Sequence, residues 1–177
     1  MKYYTLNIAG LTRELPIIKL SDELSIASFV ILGDTELVEK TAPLLAAKLP
    51  QVDILVTAEA KGIPLIYEIS KILNFKSYVV ARKSVKTYME NPIEVTVNSI
   101  TTSNPQKLYL NNEDIKKLQG KRVALIDDVI STGQSIKALE DLVLKAGANI
   151  VAKAAILAEG EAKNRKDIIF IEELPLF

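Results

Sequence analysis

The chain has 177 residues, with 22 basic and 22 acidic side chains, 49% hydrophobic and 25% charged residues. That is the length of one ordinary domain able to bury a substantial core, and its balanced charge gives no overall bias toward nucleic acid or another polyanion. Cysteine and histidine are both absent, which excludes disulfides, thiolate nucleophiles, His-based triads and zinc held by His or Cys. Any catalysis must rest on carboxylates, amines, hydroxyls, backbone amides and a metal held by oxygen. No apolar stretch is long enough to cross a bilayer, and Met1-Lys2-Tyr3-Tyr4 does not begin a signal peptide, so a cytoplasmic protein is expected.

Residues 3–20 read as extended: Tyr4, Leu6 and Ile8 alternate with polar positions, Gly10 punctuates, and Leu15-Pro16-Ile17-Ile18-Lys19-Leu20 follows. Asp34 or Thr35 caps a helix predicted to run to about Leu49, with Leu37, Val38, Leu44 and Leu45 on one face and Pro50 ending it. Val52 to Thr57 is a buried-strand pattern. Gly62 to about Leu73 reads as a helix with Pro64 in its first turn, and Ser77 to Ala81 as the next strand. Residues 84–110 are polar, rich in Thr, Ser and Asn, and alternate at Ile93, Val95 and Val97. A projecting β-hairpin or flexible flap is expected there in preference to core.

A short helix from Asn111-Asn112-Glu113-Asp114 to Gly120 precedes a strand at Val123 to Ile126. A helix from Ser135 to Ala146, closed by Gly147, leads to a strand at Ile150–Leu157, and Ile168–Ile171 is the expected last strand. Strands alternating with helices predict an open, mostly parallel α/β sheet in a single domain over 1–177, without repeats.

The most informative stretch is Val123-Ala124-Leu125-Ile126-Asp127-Asp128-Val129-Ile130-Ser131-Thr132-Gly133-Gln134-Ser135. A continuous apolar run of this kind marks a strand buried on both faces. The small-residue loop that follows opens a helix, so its backbone N–H groups can converge on an anion. Gly133 permits a close approach, and Ser131, Thr132 and Ser135 add hydroxyl donors. Asp127 and Asp128, just before the loop, can accept hydrogen bonds from sugar hydroxyls or hold a divalent cation. A phosphate cradle beside a diol-binding acidic pair describes a site for a phosphorylated ribose. Helix capping alone would need only one short polar residue.

The whole run resembles the signature of the type I phosphoribosyltransferases: an apolar strand, two acidic residues and a Thr-Gly-containing loop. The resemblance extends from about residue 50 to 157 and is nearest the adenine and xanthine branch. It implies an open sheet flanked by helices, a small hood built from the N-terminal segment 1–33 and the C-terminal segment, and a flap at 84–110. It further implies 5-phosphoribosyl 1-pyrophosphate as sugar donor, Mg2+ as cofactor held indirectly by Asp127 and Asp128, and a purine base as acceptor.

Other segments fall into place against that signature. Ala58-Glu59-Ala60-Lys61-Gly62 lies between a strand and a helix, where ligands collect in open α/β sheets, and Lys61 suits pyrophosphate. It is similar to the family's pyrophosphate loop, which implies pyrophosphate binding by Ala60, Lys61 and Gly62, a strained or cis peptide at Ala60–Lys61, and Glu59 as a base or ring-orienting group. Arg82-Lys83-Ser84-Val85-Lys86 is either a solvated edge or a second pyrophosphate-binding run. The family carries a similar Arg-Lys-x-x-Lys run, in several members reaching the partner's active site, so a homodimer is implied by resemblance.

The resemblance places the base pocket around Leu24–Ile31 and Ala158–Ala162, with Leu24, Phe29, Ala158 and Glu159 as candidates. Ser28-Phe29-Val30-Ile31 lacks the amide usual in xanthine-specific members, and the Phe-Arg-Asp run of adenine-specific members is missing too. Adenine is the leaning among the purines, with xanthine, guanine and hypoxanthine open. A regulatory relative that senses the sugar donor is the alternative class. The first 33 residues have little basic character, leaving no winged helix for DNA, so nucleic acid is not expected as a partner.

Overall fold

The computed structural model describes residues 2–97 and 105–177. The chain opens with an antiparallel sheet of β1 (Tyr3–Ile8), β2 (Leu11–Lys19) and β3 (Ser25–Ala27). Then come α1 (Thr35–Lys48), β4 (Ile54–Ala58), α2 (Ile63–Ile72) and β5 (Val79–Ala81). A hairpin of β6 (Ile93–Val97) and β7 (Gln106–Leu110) leads through α3 (Asn112–Leu118) to β8 (Arg122–Ile130), the strand of the acidic pair. The chain ends with α4 (Gln134–Lys145), β9 (Asn149–Glu159), a 3-10 turn at Gly160–Asn164 and β10 (Glu172–Leu174).

Strands β10-β9-β8-β4-β5 form one parallel sheet in that order, the expected open α/β architecture. The chain moves from β4 outward to β5 and then returns to the other side of β4 as β8. The order therefore reverses between β4 and β8, and a crevice opens at their carboxyl ends. Side chains of β8 alternate between two cores, because successive strand residues point to opposite faces. Ala124 and Ile126 join the core beneath α1 and α2, while Val123 and Leu125 join the one beneath α3 and α4.

Local chemistry sets the helix ends. The Asp34 carboxylate accepts the Leu37 N–H at 3.0 Å and is gripped by Arg13 Nε at 2.7 Å, which fixes the start of α1 against β2. Asn111 caps α3 in the same way through Asp114 N–H at 2.7 Å. On α1 the buried face is Leu37, Val38, Thr41, Ala42, Leu45 and Ala46. Leu44, expected on that face, points to solvent because it lies outside the i, i+4 rows that pack on α2.

The hood is present: the three-stranded sheet is joined to the C-terminus by paired hydrogen bonds between Ser25 and Phe177 and by Tyr4 against the Phe177 ring. Two expectations need correction. The 84–110 hairpin is not simply a projection, since Val97, Leu108 and Leu110 are buried in the core over α4. The part of the expected flap at 98–104 lies outside the described residues. The last strand is Glu172–Leu174; Ile168–Ile171 touches β9 only through a bridge at Ile169 and one hydrogen bond from Ile171 N–H to Ile156 O before the regular ladder begins. Among the described residues no helix is long and apolar enough to cross a membrane.

Candidate active site

Asp127 and Asp128 occupy the last turn of the pleat in β8, directly beside the loop that follows β4. Asp128 is 3% exposed, and its Oδ2 lies 3.1 Å from Lys61 Nζ. No hydrogen bond of good geometry satisfies that buried oxygen among the described residues. Asp127 accepts the Asp128 N–H at 2.8 Å. Burial first, and the neighbouring Asp128 carboxylate second, push the Asp127 carboxyl up to about 8. Ionising Asp127 is therefore easier when a further cation offsets the charge beside it. The all-oxygen donor set of the pair, with an Asp128 oxygen that meets Lys61 but accepts no well-aligned hydrogen bond, fits Mg2+. Among the described residues no third acidic side chain joins them to complete a metal cage, so remaining ligands would come from substrate and water.

The 59–62 loop sits where expected, at the carboxyl end of β4. Its cis peptide bond is Glu59–Ala60, one residue earlier than the Ala60–Lys61 position expected. Glu59 N–H is still bonded to Ala81 O at 3.0 Å as the chain leaves the sheet, so the turn begins immediately after Glu59. Gly62 is required by close approach: a Cβ there would run into the buried Thr57 hydroxyl. Glu59 is a tie between two segments. Its carboxylate accepts from Arg82 Nε and, at 2.8 Å, from the Lys83 N–H. Burial alone would raise this carboxyl, but the Lys83 and Arg82 donors outweigh it and hold it below the usual range.

Arg82 is fixed further by its backbone ladder to Tyr109 on β7 and by its guanidinium on the Tyr88 hydroxyl. Lys83 is exposed, and Lys86 Nζ rests on Ser84 Oγ at 2.6 Å. The basic run thus borders the same crevice as Lys61, through Glu59.

Ser131, Thr132 and Gly133 turn the chain out of β8, and Gln134 and Ser135 begin α4. Gly133 has φ +84°, a left-handed conformation that L side chains resist. The first-turn N–H groups of α4 have no carbonyl partner within the helix, and the dipole favours negative charge there. A cavity of about 310 Å3 lies against this loop, lined by Thr132, Gly133, Gln134 and Lys137, with Thr96 of the hairpin across it.

A second cavity, about 300 Å3, joins the hood to the sheet and is lined by Phe29, Val30, Lys61, Val129, Ser131 and Glu159, among others. Of the expected base-pocket residues, Phe29 and Glu159 line it. Leu24 does not, because it closes the turn between β2 and β3, and Ala158 does not, because its side chain packs in the core on the α4 side. Val30, inside the expected Leu24–Ile31 segment, lines it too, whereas Val129 and Leu174 line it without having been base-pocket candidates; nothing in their local pattern marks them.

The phosphoribosyl transferase domain family model matches residues 35–174. The hypoxanthine/guanine phosphoribosyltransferase of Methanococcus voltae is 38% identical over 114 residues, covering 64% of this chain and 57% of that protein. The enzyme of the same name from Methanocaldococcus jannaschii is 36% identical over 109 residues, covering 62% and 55%. The chain therefore spans little more than half the length of these relatives. Among solved structures, adenine phosphoribosyltransferase of Thermoanaerobacter pseudethanolicus matches with a TM-score of 0.71 at 19% identity, over 90% of this chain and 95% of that one. The Saccharomyces cerevisiae adenine phosphoribosyltransferase, complexed with an imino-altritol bisphosphate and adenine, gives 0.70 at 19% identity over 89% and 92%. At such identity the likeness is one of fold.

Proposed function

We propose, for a chain that belongs to the phosphoribosyl transferase domain family, a purine phosphoribosyltransferase that works with Mg2+ and 5-phosphoribosyl 1-pyrophosphate. The observation that carries this reading is the convergence of three elements at one crevice: the Asp127–Asp128 pair with Asp128 buried, Lys61 at 3.1 Å from Asp128, and the amide-lined loop 131–135.

In this reading the loop amides grip the sugar 5-phosphate and anchor the end that does not react. Asp127 and Asp128 orient the ribose hydroxyls. Mg2+, when bound, offsets the charge of the pyrophosphate and of the two carboxylates. The C1–O bond to pyrophosphate breaks and the bond from C1 to a purine ring nitrogen forms, the base losing its proton to water or to pyrophosphate. Negative charge growing on the leaving group meets Lys61 and Arg82, with Lys83 and Lys86 at the rim. Glu59 acts here by positioning Arg82 and the Lys83 amide, not as a base.

The acceptor is read from Glu159. A carboxylate only accepts hydrogen bonds. Guanine offers it two adjacent donors, N1–H and the 2-amino group, and hypoxanthine offers N1–H, whereas adenine offers only its 6-amino group beside an unprotonated N1. Glu159 lines the hood cavity without a side-chain partner among the described residues. With the names of the curated relatives, this moves the reading from adenine to the 6-oxopurines. Dimerisation with the Arg82–Lys86 run near the neighbouring site, and a place in the cytoplasm, belong to the same proposal.

The test is pyrophosphate release from the sugar donor and Mg2+ with guanine, hypoxanthine, xanthine and adenine supplied separately. Guanine and hypoxanthine are expected to turn over fastest, and Glu159→Gln to narrow their lead over adenine. Donor binding without turnover on any base would overturn the enzyme and favour a sensor that kept the site.

A further inference from the structure

The loop at 131–135 contains no basic residue. The next cation along the chain, Lys137, lines the cavity against the loop but is held by Asp141 at 2.6 Å. A doubly charged phosphate on this loop would face amide dipoles and, from its own segment, only a cation already paired with a carboxylate. The structure supplies another from elsewhere. Arg165, just past the 3-10 turn, lies over Gly133: a Cβ built on Gly133 would sit 2.5 Å from its Nη1 and 3.7 Å from Cζ.

The guanidinium is pinned along one edge only. Nε and Nη2 bind the two oxygens of Asp167 at 2.9 and 2.8 Å. Asp167 is itself 2.8 Å from Lys153 Nζ, whose side chain is 15% exposed and also reaches Glu140 of α4 at 3.3 Å. Lys153 thus balances Asp167 and ties the brace to the helix that carries the loop. Nη1, on the remaining edge, has no hydrogen-bond partner among the described residues and faces Gly133.

We propose that Arg165 is a ligand of the sugar 5-phosphate, the side-chain cation of a cradle otherwise made of backbone, and that Asp167 and Lys153 are positioning residues for it. The inference rests on the function proposed above. Arginine keeps its charge and presents donors in a rigid fork, so an edge held by Asp167 leaves the opposite edge aimed at a phosphate oxygen with little entropy to lose. Glycine at 133 serves both the left-handed turn and the approach of the guanidinium.

The experiment is calorimetric titration of the full chain with ribose 5-phosphate and, separately, with pyrophosphate and Mg2+, for wild type, Arg165→Gln and Arg165→Lys. Arg165→Gln should weaken ribose 5-phosphate binding by about tenfold or more while pyrophosphate binding stays within about twofold. The lysine variant should recover part of the loss. Ribose 5-phosphate binding should also lose some of its salt dependence in the glutamine variant, a change that a purely structural brace would not produce. Equal losses for both ligands, or an unchanged ribose 5-phosphate affinity, would overturn the inference alone. Wild-type protein that binds neither ligand would overturn the proposed function and this inference with it.

Discussion

The loops that follow β4 and β8 end side by side, yet they are built from different materials. The first, at 59–62, is wired by side-chain charge: Glu59 holds Arg82 and the Lys83 amide, and Lys61 reaches Asp128 at 3.1 Å. The second, at 131–135, carries no charged side chain and depends on the +84° φ of Gly133 and the open amides of α4. On the proposed reaction the difference has a physical reason. Charge develops on the leaving pyrophosphate, so full charges fixed in advance at its loop favour the transition state over the ground state. The 5-phosphate keeps the same charge throughout and needs only to be anchored. A loop of amides does that, and its position is guaranteed by backbone geometry.

The carboxylates between the two loops serve both, and removing them should have the largest effect. Asp127→Asn with Asp128→Asn is expected to lower turnover by about a hundredfold or more, with circular dichroism unchanged. Turnover near wild type would break the site assignment. The same pair sets a stability trend. The Asp127 carboxyl is raised in the folded chain, mainly by burial and then by Asp128, so the unfolded chain releases this proton first. Without Mg2+, stability should therefore fall as pH climbs from the unfolded carboxylate value of about 4 toward the folded value of about 8. Asp127→Asn removes that slope. Its denaturation midpoint should match wild type at the acid end of the window and exceed it at the alkaline end, and a lower midpoint throughout would contradict the burial argument.

A loop made of backbone should be broken by a backbone change. Gly133→Ala forces an L side chain into φ +84° and sets its Cβ 2.5 Å from Arg165 Nη1. The conformational cost alone is about 1–2 kcal/mol. Ribose 5-phosphate affinity should fall with it, while pyrophosphate binding at the other loop holds. Loss of both would mean that the two loops are not separate devices.

The two loops also differ in how legible they were. Residues 123–135 could be read directly, because strand, acidic pair, glycine and helix start are contiguous and each has a local cause. The Glu59–Arg82 tie could not, since it joins residues just past the ends of two strands and nothing in either segment names its partner. Base-pocket residues show the same limit: the segments around Phe29 and Glu159 are where expected, but the inward or outward direction of Leu24 and Ala158 depends on strand register. The hairpin expected within 84–110 is present, but the burial of one of its faces could not be read for another reason. A strand buried on one face carries polar residues on the other, and Thr96, Lys107 and Tyr109 masked the buried Val97, Leu108 and Leu110.

Glu59→Gln tests the wired loop itself. The amide keeps the shape but loses the charge that holds Arg82, so the Michaelis constant for pyrophosphate in the reverse reaction should rise several-fold, roughly 1 kcal/mol. Turnover with saturating substrate should change less. A collapse of turnover with an unchanged constant would return Glu59 to the role of a base.

Lys86→Ala should have the smallest effect, and it defines the outer limit of the wired loop. Among the described residues Lys86 has no ion-pair partner; its Nζ is on Ser84 Oγ at 2.6 Å, and its charge reaches Glu59 only through space. A half-exposed cation of this kind is worth roughly 0.5 kcal/mol to a nearby anion, because solvent and salt screen it. The Michaelis constant for pyrophosphate should therefore rise about twofold at low salt, and the difference from wild type should vanish as ionic strength increases. An effect that survives high salt would mean that Lys86 contacts the pyrophosphate directly in a closed state, and the charged loop would then extend from Glu59 to the edge of the hairpin.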